Sequence, residues 1–301
     1  MLAEFRPATL AALSTCWLML ALAPSPARAG CTRAIVVPAS ALGKMIVIDK
    51  ESGAVSGIYP DLLREQGRKA GCVFAFPVVP RVRAEMMLRT GQADLLLAAT
   101  PVAERGQWGD YIPMVGTEWM LISRAGAPAP PTVAALAALT GVRFNAVRGF
   151  NFGARYQAML DALEQRGELE LVPDAQTVAA KMLAGRVDYS YMPSNTFAGA
   201  LDALGVDGAG RGAFQYTRLD GIPASTSGVY LSKKLSPADA REVTAILLAL
   251  RADDSILARA RALYSPQEMS SIFPLPGAKK TGPGGRPALL SAGLAPQGGG
   301  D

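Results

Sequence analysis

The chain contains no histidine, and this single absence removes the commonest general base and the commonest metal ligand together. A Ser-His-Asp triad, a Cys-His pair and a His-ligated zinc centre are excluded. Carboxylates are scattered along the sequence, so neither a metal site nor a cofactor is implied. What remains is recognition chemistry. Arg105 closes the stretch Thr100-Pro101-Val102-Ala103-Glu104-Arg105. A planar guanidinium offers parallel donors that match a carboxylate, and it stays charged when water is removed. Taken alone, Arg105 fits better as a surface arginine at a helix start, paired to Glu104 or Asp110. A second candidate is Val147-Arg148-Gly149-Phe150-Asn151-Phe152-Gly153, which opens a helical segment at 154–164. Backbone N–H groups at a helix start lack partners and suit an anion. Phe150 and Phe152 also fit as core anchors, and Arg148 as a solvated charge.

The elements that must position these residues lie behind a leader. Residues 1–29 carry Arg6, an apolar stretch over 8–23 and Ala27-Arg28-Ala29 before Gly30, the pattern of a cleaved signal peptide. Cys16 leaves with it. Cys31 and Cys72 remain, an even pair suited to one disulfide in an oxidising compartment. Such a bridge closes a long segment, worth about 4 kcal/mol in the chain-entropy account. Gly30-Cys31 also resembles a lipidation junction, but Arg28 stands where an aliphatic residue is wanted, and acylating Cys31 would strand Cys72. Loss of Glu4, Arg6 and Arg28 lowers the net charge of +5 by one. The balance is diffuse, without the dense basic stripe of a nucleic-acid binder.

Strand and helix signals alternate. Residues 34–38, 73–79 and 93–98 read as strands, 44–49 with the Ser52-Gly53 turn as a hairpin, and 60–70 and 83–89 as helices stopping at Gly71 and Gly91. That alternation argues for a parallel α/β sheet. A partial repeat sets Leu88-Arg89-Thr90-Gly91-Gln92-Ala93-Asp94 against Met182-Leu183-Ala184-Gly185-Arg186-Val187-Asp188, which suits two similar lobes, although helix–Gly–strand is common enough to recur by chance. Apolar strands at 119–123 and 228–232 would make two crossings between the lobes. Residues 125–131 (AGAPAPP) form a loop, 236–263 a helical region, and the Gly/Pro/Lys-rich end a disordered tail.

Gly57-Ile58-Tyr59-Pro60-Asp61-Leu62-Leu63, Pro80-Arg81-Val82-Arg83, Leu88 to Asp94, Ala99-Thr100-Pro101 with Glu104-Arg105, and Tyr111 follow one another in a fixed order. Over residues 31–275 this order resembles the polar amino-acid group (family 3) of periplasmic solute-binding proteins serving ABC transporters. The resemblance implies a two-lobed α/β fold of type II. Each lobe would be a mainly parallel sheet flanked by helices, with two hinge strands between them. Lobe 1 is expected to span 30–122 plus 228–275, lobe 2 to span 123–227, and the tail 276–301. By the same resemblance Arg105 holds a ligand carboxylate, Thr100 assists, and the loop at Arg148, Gly149 and Asn151 faces it. Arg81 stands where relatives often carry tryptophan. Pro193 stands where amino-acid binders place the acid that holds an ammonium group, with Ser194 and Asn195 beside it. The expected solute is therefore a carboxylate or other small anion. Tyr59 and Tyr191 are candidate contacts with its apolar part.

The implied protein is a periplasmic monomer that hands a small solute to an inner-membrane ABC permease, without cofactor, metal or nucleic acid. Two other classes stay open. One is an accessory or sensory binding protein, for instance serving a periplasmic dehydrogenase. The other is an exported dehydratase-like enzyme on the same fold, for which Glu118, Asp110 and Asp220 are the available carboxylates.

Overall fold

The computed structural model describes residues 30–206, 208–264 and 269. The expected signal peptide and the tail at 276–301 lie outside the described residues. From the start, β1 (Ile35–Val36) leads to a hairpin of β2 (Val47–Ile48) and β3 (Val55–Ser56), then α1 (Ile58–Ala70), β4 (Phe74–Ala75), α2 (Arg81–Thr90), β5 (Leu95–Ala99), α3 (Ala103–Gly106) and the long β6 (Gly109–Thr117). Next come β7 (Met120–Arg124), α4 (Val133–Ala137), β8 (Phe144–Val147), α5 (Ala154–Gln165), β9 (Leu169–Val172), α6 (Ala175–Leu183), β10 (Tyr189–Met192), α7 (Ser194–Ala203), α8 (Gly208–Arg211) and β11 (Phe214–Arg218). The chain then returns through β12 (Ser225–Ser232), α9 (Pro237–Ala252) and α10 (Ser255–Leu263). Among the described residues no helix is long and apolar enough to cross a membrane.

Sheet membership divides the chain. Strands β5, β12 and β6 form one sheet and β1 pairs with β4, while β11, β7, β10, β8 and β9 form a separate five-stranded sheet. The expectation of mainly parallel sheets holds only in part. In the second lobe β10, β8 and β9 run parallel, but β7 is antiparallel to both its neighbours. In the first, β1 and β4 are parallel, whereas β12 is antiparallel to β5 and β6. The cause is connectivity. A strand that re-enters a sheet directly from the other lobe has no crossover helix to reverse it, so it pairs antiparallel. The strands read at 34–38 and 73–79 shrink to two residues each. Pro38 and Pro77 lack the N–H that a continuing ladder needs. The helical region at 236–263 is two helices, broken where Asp254 takes the left-handed conformation at φ 49°.

The partial repeat is structural. Gly91 and Gly185 both adopt positive φ, 78° and 67°, ending α2 and α6. Asp94 then accepts the Val36 N–H at 2.8 Å and pairs with both terminal nitrogens of Arg33. Asp188 likewise accepts the Arg143 N–H at 2.8 Å and is gripped by the Arg143 guanidinium. Each aspartate thus staples the segment that follows the glycine to the start of another strand of its lobe, β1 for Asp94 and β8 for Asp188.

Each lobe has its own core. Ile35, Val37, Leu63, Leu95, Val229 and Leu247 are fully buried under α1, α9 and α10, while Phe144, Tyr156, Val178, Met182 and Phe197 fill the two faces of the five-stranded sheet. Burying each such side chain is worth about 1.5–3 kcal/mol. The disulfide joins Cys31 to Cys72, just past the glycine cap of α1. A second tie holds the same end of the chain. Asp239, buried at the start of α9, accepts the Thr32 N–H at 2.6 Å, the Thr32 hydroxyl at 2.8 Å and the Ser236 hydroxyl at 2.9 Å. The Thr32 N–H, then the two hydroxyls and Arg33, hold its carboxyl below the usual aspartate value of 3.8. A depressed folded-state pKa gives stability that is present above 3.8 and lost as pH falls through the folded value. Asp239→Asn is therefore expected to cost about 1–3 kcal/mol at pH 7. It should also flatten the loss of stability in acid below pH 4, which denaturant titrations at pH 7 and at successively lower pH would measure.

Candidate functional site

The cleft between the two sheets is built first from the end of β5. Ala98 carries a positive φ of 48°, and the pairing of β12 with β5 shifts register between Gly228 and Tyr230. This irregular stretch leaves the Leu97 carbonyl free of the ladder to accept Arg81 Nη1 at 2.9 Å. Beyond it, the Tyr230 hydroxyl receives the Val102 N–H at 2.9 Å and so pins the segment leading from Thr100 to Arg105. A left-handed non-glycine residue beside a cleft is costly, and it persists here between bonded neighbours.

Arg105 sits in the four-residue α3, yet its side chain turns inward and is only 3% exposed. Nη1 donates to the Thr100 carbonyl at 2.9 Å, while Nε and Nη2 donate to Glu85 at 2.9 and 2.6 Å. The alternative pairing of Arg105 with Glu104 or Asp110 does not occur. Arg81, the first residue of α2, is 9% exposed and lies 3.3 Å from the same Glu85 through Nη2. Burial lowers its pKa, Glu85 opposes that shift and the like charge of Arg105 adds to it.

Arg81, Thr100, Arg105, Thr117 and Ser227 form one wall, and Gly149, Asn151, Pro193, Asn195 and Thr196 the other, with Trp119 at the back. The room left for the centres of water molecules is about 50 Å³. Among the described residues no carboxylate side chain lines this space. The far wall is shaped by loop geometry: Gly149 has φ 89°, and the Asn151 side chain accepts the Gly153 N–H at 2.9 Å ahead of α5. The first turn of α7 supplies Asn195 and Thr196, both buried.

The two lobes touch on both rims of the cleft. A Cβ on Gly149 would fall 2.9 Å from the Val82 backbone nitrogen in α2, and one on Gly43 would fall 2.5 Å from the Asn195 carbonyl oxygen. Lys50 Nζ reaches the Ala203 carbonyl at 3.1 Å outside the second rim.

Five of the nine candidate contacts named from the sequence, Arg105, Thr100, Arg81, Gly149 and Asn151, meet in this cleft. Four do not. Tyr59 is 1% exposed in the first core, where burial raises its phenol pKa. Tyr191 is 2% exposed, stacked on Tyr156, and burial raises its phenol pKa. It faces a neighbouring hollow with Glu118, Arg155 and Arg218. Arg148 reaches the Leu171 carbonyl at 3.3 Å on the outer surface. Ser194 is buried beside the cleft but does not line it. Sequence reasoning missed Thr117, Thr196 and Ser227 on the walls, which carry no pattern of their own, and Glu85 behind them. The signal for Glu85 was the spacing: it stands four residues after Arg81 on one helix, where opposite charges meet.

No family model matches the sequence, and no curated protein matches it either. Solved structures do match its fold. A histidine kinase sensor domain with similarity to periplasmic binding proteins superposes with a TM-score of 0.62 at 19% identity, over 78% of this chain and 96% of that one. An amino acid ABC transporter substrate-binding protein from Streptococcus pneumoniae, bound to L-arginine, gives 0.61 at 15% identity over 76% and 93%. An ancestral amino acid-binding protein, a precursor of cyclohexadienyl dehydratase, gives 0.60 at 16% identity over 77% and 95%.

Proposed function

Starting from a chain whose fold is that of the type II periplasmic binding proteins, we propose that it is an exported binding protein that captures a small carboxylate anion and presents it to an inner-membrane ABC permease. The observation that carries this reading is the wall of the cleft: two buried guanidiniums, Arg81 and Arg105, and, among the described residues, no carboxylate side chain lining the space. The two cations share the single carboxylate of Glu85, so one positive charge is left for an anionic solute, and charge-assisted bonds strengthen as water leaves. Pro193 supports the same conclusion from the far wall, since it lines the cleft where an amino-acid binder needs an acid for the ligand ammonium. Binding is then the whole mechanism. The lobes close over the solute, and the closed shape is what a permease recognises. The division into one lobe of residues 30–122 with 228–275 and another of residues 123–227 belongs to this proposal. Working as a monomer in the periplasm belongs to the same proposal.

A thermal-shift screen against amino acids, dicarboxylates and aromatic acids tests it. A ligand present at 100 times its dissociation constant adds about 2.7 kcal/mol to stability. Carboxylates without an ammonium group are expected to raise the melting temperature. Shifts seen only with cationic or zwitterionic amino acids would sink the anion reading. A sensory role is a second reading, favoured by the likeness to the kinase sensor domain. Co-purification with a membrane receptor rather than a permease would select it.

A further inference from the structure

Glu85 touches both cleft arginines without lining the cleft. Its carboxylate approaches from α2 in an adjoining hollow with Arg89, Glu104 and Trp108, which shares Arg105, Gly149 and Asn151 with the cleft. There Oε2 takes Arg105 Nε at 2.9 Å and Oε1 takes Arg105 Nη2 at 2.6 Å, while Arg81 Nη2 lies 3.3 Å from Oε1. We propose that Glu85 sets the charge of the solute that the cleft accepts, by filling the stem-side edge of Arg105 and leaving the Arg81–Glu85–Arg105 group at a net charge of one. This rests on the anion reading above and makes it narrower.

A guanidinium has five N–H donors. On Arg105, Glu85 takes two and the Thr100 carbonyl one. Two donors are left, so a solute carboxylate cannot use the stem-side fork and meets only the remaining N–H groups, together with those of Arg81. The charge argues in the same direction. Two cations sharing one internal carboxylate are neutralised by a single negative charge. A dianion would leave a surplus charge in a site from which water is excluded, and an uncompensated buried charge is costly. Arg89 and Glu104, the other charges in the adjoining hollow, carry opposite signs and leave this sum unchanged. Glu85 is thus a positioning residue: it acts on the solute through the arginines it holds. A strut that merely fixed those arginines would weaken every anion alike when removed. A charge setter would change which anion is preferred.

The test compares wild type with Glu85→Gln at pH 8, titrating two matched pairs, butyrate with succinate and benzoate with phthalate. Affinities are read by calorimetry and by the fluorescence of Trp119 in the cleft. Wild type is expected to favour the monocarboxylate of a pair. In Glu85→Gln the ratio of dicarboxylate to monocarboxylate affinity should rise at least fivefold, because the group gains a positive charge at constant shape. A smaller rise, equal weakening of both acids, or a wild-type preference for the dicarboxylate overturns the role of Glu85 and leaves the anion reading standing. If Glu85→Gln does not fold, Arg81→Gln moves the charge the other way, and its ratio must fall by at least the same factor; an unchanged ratio is again fatal. Wild-type protein that binds none of the four acids overturns the anion reading itself, and this inference with it.

Discussion

Arg105→Ala is expected to abolish solute capture and to lower folding stability by about 3–5 kcal/mol in the same variant. The two losses have different origins. Stability falls because Glu85 would keep only its 3.3 Å contact with Arg81, and the Thr100 carbonyl would lose its donor beside the cleft. A partly buried carboxylate stripped of its main partner still carries much of the cost of its own desolvation. Binding falls because truncating one partner of a buried, hydrogen-bonded charge pair costs about 2–5 kcal/mol, at least a roughly 30-fold drop in affinity. Arg105→Lys separates them. It keeps the charge but cannot span both oxygens of Glu85 and also reach Thr100, so its stability should lie between wild type and alanine. Denaturant unfolding gives the first quantity and calorimetry with the carboxylate found by screening gives the second. A variant that loses stability but keeps wild-type affinity would show that Arg105 is only a brace for its neighbours.

How much of this was readable beforehand depends on whether the controlling force is local. The glycine stops at Gly71, Gly91 and Gly185 were readable because a left-handed cap leaves a residue-type signature. The repeat around Asp94 and Asp188 was visible as spacing, but its partners Arg33 and Arg143 were not, because each lies 61 or 45 residues away in sequence. Pairing of Cys31 with Cys72 followed from parity alone. Sheet direction was misjudged in the first lobe, where β12 arrives from the other lobe and no local pattern records that route. Tyr59 and Tyr191 were offered as contacts because an aromatic near a motif fits either a wall or a core, and only packing decides. Arg105 and Arg81 were each singled out. The carboxylate that joins them was overlooked, although an Arg–Glu pair four apart on a helix is among the simplest charge patterns a sequence can hold.

The second large effect is expected at a glycine with no polar chemistry. Gly199 lies within α7, and a Cβ there would come closer to the Gly43 Cα than real Cβ atoms approach a neighbour. The obstacle is backbone, so no change of rotamer relieves it. Gly43 cannot yield easily either. It holds a φ of 53°, and its own space is bounded by the Asn195 carbonyl. Gly199→Ala should therefore wedge the rim apart while leaving each lobe intact. Within a helix the same substitution removes backbone freedom from the unfolded chain and favours the fold by up to about 1 kcal/mol. The expected outcome is an uncommon pairing: ligand-free stability equal to or above wild type, and affinity lower by at least tenfold, since Arg105 and Arg81 can grip a solute only when the far wall comes up against it. Small-angle scattering with saturating carboxylate should show the variant remaining extended where wild type contracts. Unchanged affinity in a well-folded Gly199→Ala protein would mean that capture needs no contact between the rims at Gly43, and that the arginine wall holds the anion from one side.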